Sequence, residues 1–484
     1  MRLRASLTLT MLLGCTGAVA AQQSGAPTGR CQLQFRADHP LNSFKLPSGQ
    51  RNNFLGGNVV ATCEAQGLRL RSDSVEAYGD DGRIVFIGHV DYREPRVKLR
   101  SDLLTYFQRD ERVLATQNVV ATLPTGSTLT GPQVELLRPI PGVRPQQSAT
   151  AIGRPTISLV ERDSLGRPQP PVKITANTVY LQGDSIVSAV GQVVVVRPEL
   201  TAIGDSLYAD AGSGLLRMMR QPRITGTKGR PFTLVGETID LHTRQRKLDR
   251  VLAKNAAQAH SEDLDLKSDT IDLRVSGDLL QRAIVWGKSR AHATSPTQSI
   301  VADSIDVLMP AQHVRELHAL RAASAEAAPD TTKFRTAEKD RLTGDTIVAY
   351  FDSIPARDTT AKPQIRLLVA TGHATSLQHL APKDTSLCLP AISYVKGRII
   401  TVHFDSAQVS TVKITDKEDA TGVYAEPDST AEGARCHAPA VAAGSADSSS
   451  TSPATPPAGR PMPARPPSTP PRAATPPAVV PKRP

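Results

Sequence analysis

Apolar and polar residues alternate along most of this chain, and the alternation is organised around a recurring pair: a small residue followed by an acidic or polar one. The pair stands at Ser72-Asp73, Ser101-Asp102, Gly131-Pro132, Ala176-Asn177, Gly204-Asp205, Gly236-Glu237, Ser268-Asp269, Ala302-Asp303, Gly344-Asp345 and Gly397-Arg398. Successive pairs lie 28 to 53 residues apart, and most steps are close to thirty. Such a fixed period is the mark of a repeat architecture.

Three residues before the second member of each pair stand Leu70, Leu99, Leu129, Ile174, Ala202, Leu234, Leu266, Ile300, Leu342 and Val395. Two residues after it stand Val75, Leu104, Val134, Val179, Leu207, Ile239, Ile271, Ile305, Ile347 and Ile400, and four after it Ala77, Tyr106, Leu136, Leu181, Ala209, Leu241, Leu273, Val307, Ala349 and Val402. All thirty are apolar, while polar residues such as Glu76, Thr105, Glu135 and Asp272 fall between them and are expected to face water. Alternation with period 2 predicts strands with one buried face. Positions −3 and +2 differ by an odd number, so a regular strand would put them on opposite faces. A bulge or corner at the pair adds one unpaired residue and restores a common face, and Gly, Ser and Asp tolerate the backbone it needs. Each repeat then supplies a strand, a corner, a continuing strand and a return strand such as Ile84–Ile87 or Val193–Val196. The fold class expected is all-β, an elongated body of stacked repeats of about thirty residues.

Prolines interrupt the pattern at Pro139–Pro145 and Pro168–Pro171, and an Ala-rich stretch at Ala322–Ala328 reads as a short helix or a loop. These look like insertions between repeats. From Ala438 to Pro484 there are 14 prolines and no aromatic residue, a composition that cannot bury a core and predicts a disordered tail. The organisation expected is a signal segment at 1–20, an N-terminal extension at 21–53, repeats at 54–320, an Ala-rich insertion at 321–340, further repeats at 341–436 and the tail at 437–484.

Composition narrows the function classes. With Trp 1, Tyr 8 and Phe 9 in 484 residues, the chain lacks the aromatics that an outer-membrane barrel or an aromatic-lined sugar cleft would need. The formal charge is +11, but residues 1–20 hold two Arg and residues 437–484 five basic residues against Asp447, leaving +5 on residues 21–436. An excess that mild, without a basic cluster, argues against nucleic acid and suits an anionic lipid or glycolipid.

Met1-Arg2-Leu3-Arg4, the apolar run Ala5–Leu13 and Ala18-Val19-Ala20 form a secretory signal cut after Ala20 or Ala21. A competing reading takes Leu12-Leu13-Gly14-Cys15 as a lipobox, which would anchor a lipoprotein through Cys15. Either cleavage leaves Cys31, Cys63, Cys388 and Cys436, an even number in an oxidising compartment. Local bridges Cys31–Cys63 and Cys388–Cys436 would clamp the two ends of the folded region; four unpaired thiols are the other reading.

No Gly-rich phosphate loop, His-Glu-x-x-His helix or Gly-x-Ser-x-Gly elbow is present. The recurring Asp residues, one per repeat beside a small residue, suit corners better than catalysis or calcium binding. His313 and His318 have no third ligand nearby in sequence, so no metal is expected, and Trp286 reads as a core residue. Neither an enzymatic activity nor a cofactor is expected.

At Gly57-Asn58-Val59-Val60 followed by Leu68–Tyr78, the sequence resembles the OstA-like (LptA-type) periplasmic domain of lipopolysaccharide transport. Gly88-His89-Val90 through Val97–Asp102 repeats the pattern, as do Gly191-Gln192-Val193 through Gly204-Asp205, and Tyr394–Phe404 resembles the later repeats of such proteins. The resemblance spans roughly residues 54–425. It implies an open β-jelly roll whose apolar interior shields acyl chains. It also implies a periplasmic component passing lipopolysaccharide or another anionic glycolipid toward the outer membrane, with inner- and outer-membrane transport components as partners and room for end-to-end self-association. On that reading the ten +2 residues, Val75 through Ile400, line the lipid groove. The chain departs from the family in being much longer than a single bridge protein and in carrying a Pro-rich tail. A β-solenoid envelope scaffold or adhesin, or a β-helical polysaccharide-active enzyme, are the alternatives.

Overall fold

The computed structural model describes residues 32–39, 42–160, 167, 170–183, 185–245, 247–329, 332, 334–353, 363–405, 408–415, 420–430 and 434–435. The signal segment, Cys31, Cys436 and the Pro-rich tail therefore lie outside the described residues. Among those described there are 28 strands and no α-helix.

The strands begin with β1 (Gln34–Arg36), β2 (Asn42–Lys45), β3 (Arg51–Cys63), β4 (Leu68–Tyr78), β5 (Arg83–Glu94), β6 (Val97–Phe107), β7 (Arg112–Thr122), β8 (Thr128–Leu137), β9 (Ser148–Ile152) and β10 (Thr156–Leu159). There follow β11 (Val172–Thr175), β12 (Thr178–Gln182), β13 (Ile186–Val196), β14 (Leu200–Asp210), β15 (Leu215–Met219), β16 (Arg223–Gly226), β17 (Phe232–Val235), β18 (Thr238–Arg244), β19 (Lys247–Ser261) and β20 (Asp265–Ser276). The series ends with β21 (Leu279–Thr294), β22 (Gln298–Leu308), β23 (Glu316–Ala327), β24 (Asp340–Phe351), β25 (Ile365–Leu380), β26 (Ala391–Asp405), β27 (Gln408–Thr415) and β28 (Thr421–Ala425). They pair antiparallel into one continuous ladder. Six rungs, β1/β2, β9/β10, β11/β12, β15/β16, β17/β18 and β27/β28, are each split into two strands, so the 28 strands form 22 rungs.

Each of the long unbroken rungs is bent midway, and the bend falls at the small-plus-polar pair. Where β5 meets β6, the register jumps from Ile87–Leu103 to Val90–Ser101, leaving Asp102 unpaired on one rung and Gly88-His89 on the other. The same one-against-two pattern sets Asp205 opposite Gly191-Gln192 and Asp345 opposite Arg321-Ala322. The two-residue side takes the left-handed conformation, with φ +77° and +41° at Gly88 and His89 and +76° and +46° at Gly372 and His373. Glycine fits there doubly, because a Cβ on Gly88 would lie 2.2 Å from the Asp73 carboxylate and one on Gly372 2.2 Å from that of Asp345. The acidic residues bond across the corner to the neighbouring rung: His89 to Asp73 at 2.8 Å, Asn118 to Asp102 at 2.7 Å, Arg220 to Asp205 at 2.9 Å and His373 to Asp345 at 3.0 Å. The recurring Asp residues are thus corner residues. Where the corner splits β9 from β10 and β11 from β12 while β8 and β13 run on to either side, the ladders close a six-strand ring, β8–β9–β12–β13–β11–β10.

The bend puts −3 and +2 on one face. All ten +2 residues are 0–2% exposed, and nine of the ten −3 residues are 0–6% exposed, with Val395 half-buried against the same core. The two halves of the rungs face each other across a single apolar interior, where each fully buried Leu or Ile contributes roughly 1.5–3 kcal/mol.

Three expectations are corrected. Ala322–Ala327 is neither helix nor loop but the second half of β23, with Ala323 and Ala325 inward (2% and 7% exposed) and Ser324 and Glu326 outward; small side chains fit where the two halves approach. The insertion reduces to the linker before β24. Trp286 is half-buried at the corner of β21, on the face opposite Val285, because the pleat turns it away from the interior. Asp272 does not face water: at 1% exposure it lies under Arg250 and Arg274, whose guanidinium groups bond it at 2.8 Å each. In addition, β1, β2 and the start of β3 carry the ladder into residues 21–53.

Candidate functional site

Opposite the corners, the strand-connecting turns form two rims, and the apolar interior opens between them. One rim carries the turns after Tyr78, Phe107 and Leu137; the other carries those after Cys63, Glu94 and Thr122. Where side chains from the two halves do not meet, clefts remain. The first, about 860 Å³ counting the solvent in its open mouth, lies between Leu99, Leu129 and Ile157 of one half and Leu136, Leu181 and Val187 of the other. Its rim is polar, with Arg96 and Ser127 on one side and Gln147 and Ser185 on the other. A second cleft, about 690 Å³, lies among Phe232, Leu266, Leu273, Leu280 and Met309, with Arg230, His260 and Asp263 at its edge. A third, about 450 Å³, is lined by Ile300, Leu342, Leu368, Val402 and Phe404. Walls that are mainly apolar, with polar groups at the edge, suit an amphiphile.

Polar side chains span the mouth at two places. Arg138, on the turn after β8, bonds Glu94 of the opposite rim (3.2 Å), Glu111 (2.6 Å) and Gln66, while Gln147 reaches Glu94 at 3.1 Å. Tyr106 donates to Glu111 at 2.7 Å. The charged side chains are buried, at 7% exposure for Arg138 and Glu111 and 9% for Glu94. Burial works against the Arg138 cation, yet Tyr92, Glu94, Tyr106 and Glu111 around it hold it more firmly protonated than a free arginine. Burial, reinforced by Glu111, pushes the Tyr106 phenol well up. At the second place, Gln312 Oε1 accepts from the Arg230 amide at 2.7 Å and its Nε2 donates to the Lys228 carbonyl at 3.3 Å, while Arg230 pairs with Asp263 and Lys228 with Asp278.

The ten +2 residues sit deepest, next to the corners. Val134 lines the first cleft; none of the other nine is among the residues that line these three clefts, whereas −3 and +4 residues such as Leu99, Leu129, Leu136, Leu181, Leu266, Leu273, Ile300, Leu342 and Val402 are. The sequence signal for these positions was already in the repeat, since they lie farther from the corner than +2 and hence nearer the mouth. Cys63 and Cys388 are both disulfide-bonded; Cys31 and Cys436 lie outside the described residues. His318 bonds Glu316 at 3.1 Å; His379 lies between Asp340 (2.9 Å) and Glu338 (3.3 Å), but no group of His, Cys, Asp or Glu among the described residues is placed to hold a metal ion. No helix among them is long and apolar enough to cross a membrane.

Compared with protein-family models and with curated proteins, the chain matches none.

Proposed function

We propose that this chain is a periplasmic binding and bridge protein that shields the acyl chains of lipopolysaccharide or a related anionic glycolipid and passes them toward the outer membrane. In fold terms the proposal reads the bent stack as an open β-jelly roll of the OstA-like kind that its repeats resemble. The observation that carries it is the set of clefts opening between the two rims, walled mainly by apolar side chains. Shielding about a dozen methylenes at ~0.8 kcal/mol each is worth on the order of 10 kcal/mol, and similar sites repeated along a stack let a chain move with little net change. Inner- and outer-membrane transport components would be the partners at either end.

The near-zero exposure of the +2 residues favours a second reading, a packed β-solenoid scaffold or adhesin whose apolar face is merely its core. A photo-crosslinking amino acid placed at Leu136, Leu181, Leu273 or Leu342 separates the two. Transport predicts adducts carrying acyl chains at these sites and none at Lys98, which is exposed on the outer face. Equal, negligible labelling at all five positions sinks the transport reading.

A further inference from the structure

Alternation leaves every second side chain of β4, β5 and β6 outside, and strand pairing sets the outward ones side by side. Between rim and corner, Arg69 of β4 stands directly opposite Arg93 of β5, which stands opposite Lys98 of β6. One pleat nearer the corner, Arg71, Asp91 and Arg100 form a second row, which continues through Val60 of β3 to Arg36 of β1. All six cations are exposed, while Leu70, Tyr92 and Leu99 between them point into the interior at 0–1% exposure. Hydrogen bonds from Arg93, together with the charges of Arg93, Arg100 and Arg71, hold the Asp91 carboxyl below the usual carboxylate range in spite of its partial burial. The side chains of Arg36, Arg69, Arg71, Lys98 and Arg100 make no ion pair or hydrogen bond among the described residues. Six cations against one carboxylate give this face +5, as much as residues 21–436 carry in all. Charges that form no cluster along the sequence thus become one when the strands pair. Like charges directly opposite each other destabilise a sheet, so the face costs the fold something that an anionic partner outside would offset.

We infer that the outer face of β4–β6, extended by Arg36, docks the protein on an anionic, phosphate-bearing membrane surface. Two rows of cations on the outside of a sheet match an array of head-group phosphates better than one small anion, which would need a pocket. No aromatic side chain stands in either row to stack a base; the flanking positions are Thr62 and Thr122 in one and Val60 and Val120 in the other. A duplex is read by an element that enters its groove, which a sheet exterior does not do. The face lies outside the apolar interior, so docking neither needs the clefts nor obstructs them.

The test is co-sedimentation of the full chain with vesicles of equal parts phosphatidylglycerol and phosphatidylcholine, and with vesicles of phosphatidylcholine alone. Binding to the mixed vesicles only is expected, with release as added salt screens the charges. Arg69→Gln, Lys98→Gln and Arg100→Gln together should weaken it about 100-fold, at about fivefold for each cation near the surface. Lys173→Gln, Lys267→Gln and Lys396→Gln together remove the same charge from exposed positions elsewhere and should cost far less. The urea midpoint of the first variant should not fall, because it relieves repulsion, which separates lost docking from lost folding. Equal weakening by the two triple variants, equal binding to both kinds of vesicle, or no binding overturns the inference. Displacement by a single-stranded oligonucleotide at a lower phosphate concentration than the vesicles supply overturns the membrane in favour of nucleic acid. Since salt reverses docking, crosslinking read at high salt leaves Lys98 without lipid. Adducts at the interior positions without vesicle binding remove this inference alone, and vesicle binding through this face without interior adducts removes the lipid-carrying reading alone.

Discussion

Replacing Arg138 by Met tests how the two rims are held together. Methionine keeps most of the volume but removes the guanidinium that bonds Glu94, Glu111 and Gln66, leaving two buried carboxylates without their counter-charge. Breaking a buried ion pair by deleting one partner costs about 3–5 kcal/mol. In a stacked array each repeat is stabilised chiefly by its neighbours, so the loss should be local. Native-state hydrogen exchange reads this directly: amides of β4–β8 should exchange roughly 10²- to 10⁴-fold faster, while those of β20–β26 keep their protection. Glu111→Gln should cost less, because it leaves the Arg138–Glu94 pair intact and removes the excess negative charge. Unchanged exchange in β4–β8, an acceleration spread evenly to β26, or a larger cost for Glu111→Gln would each refute the assignment of Arg138 as the bridge.

Gly88→Ala should destabilise by about 1–3 kcal/mol, since it adds left-handed strain and a clash with Asp73, and it should cost more in urea unfolding than Gly126→Ala, where φ is +88° but nothing lies within 4 Å of the new methyl. Asp240 is buried, which opposes ionisation, but hydrogen bonds from Arg217 (2.6 Å) and Lys254 (3.0 Å) hold its carboxyl below the usual carboxylate range. Its folded pKa is thus depressed, so its contribution is complete above the unfolded value and is lost as pH falls through the lower folded value. Asp240→Asn should flatten the acid limb of a stability–pH curve below about pH 4, and an unaltered limb would contradict that origin. Non-reducing peptide mapping of exported protein should pair Cys63 with Cys31 and Cys388 with Cys436; a bridge joining Cys63 to Cys388 would overturn the local scheme.

The architecture was legible where it depends on neighbours in sequence. The odd spacing between Leu99 and Leu104, both apolar, demanded a break in the pleat at Ser101-Asp102, and the register jump falls there. Half of the corner was less visible: Gly88-His89 and Gly372-His373 advertise their left-handed backbone, but Gln117-Asn118 and Arg321-Ala322 adopt it without a glycine. Binary pattern also misjudged Asp272, since a carboxylate on an outer face is expected in water unless one knows that two arginines lie across it. Least legible was the mouth, where Arg138 meets Glu94 across 44 residues and Gln66 across 72, a meeting that no local spacing encodes. The same holds for the clefts, which depend on where opposing halves fail to touch. The repeat marked the apolar rows, and only the packing divided them into deep residues such as Ile239 and cleft-lining ones such as Leu181.

The central claim is that the interior carries lipid, and its most direct test is native mass spectrometry of the full chain isolated without detergent from an envelope that makes the glycolipid. The account predicts a population heavier than the bare chain that releases, on activation, a species fragmenting into acyl chains and a phosphorylated or acidic sugar. A single mass equal to that of the processed chain, unchanged after incubation with the purified glycolipid, would contradict it.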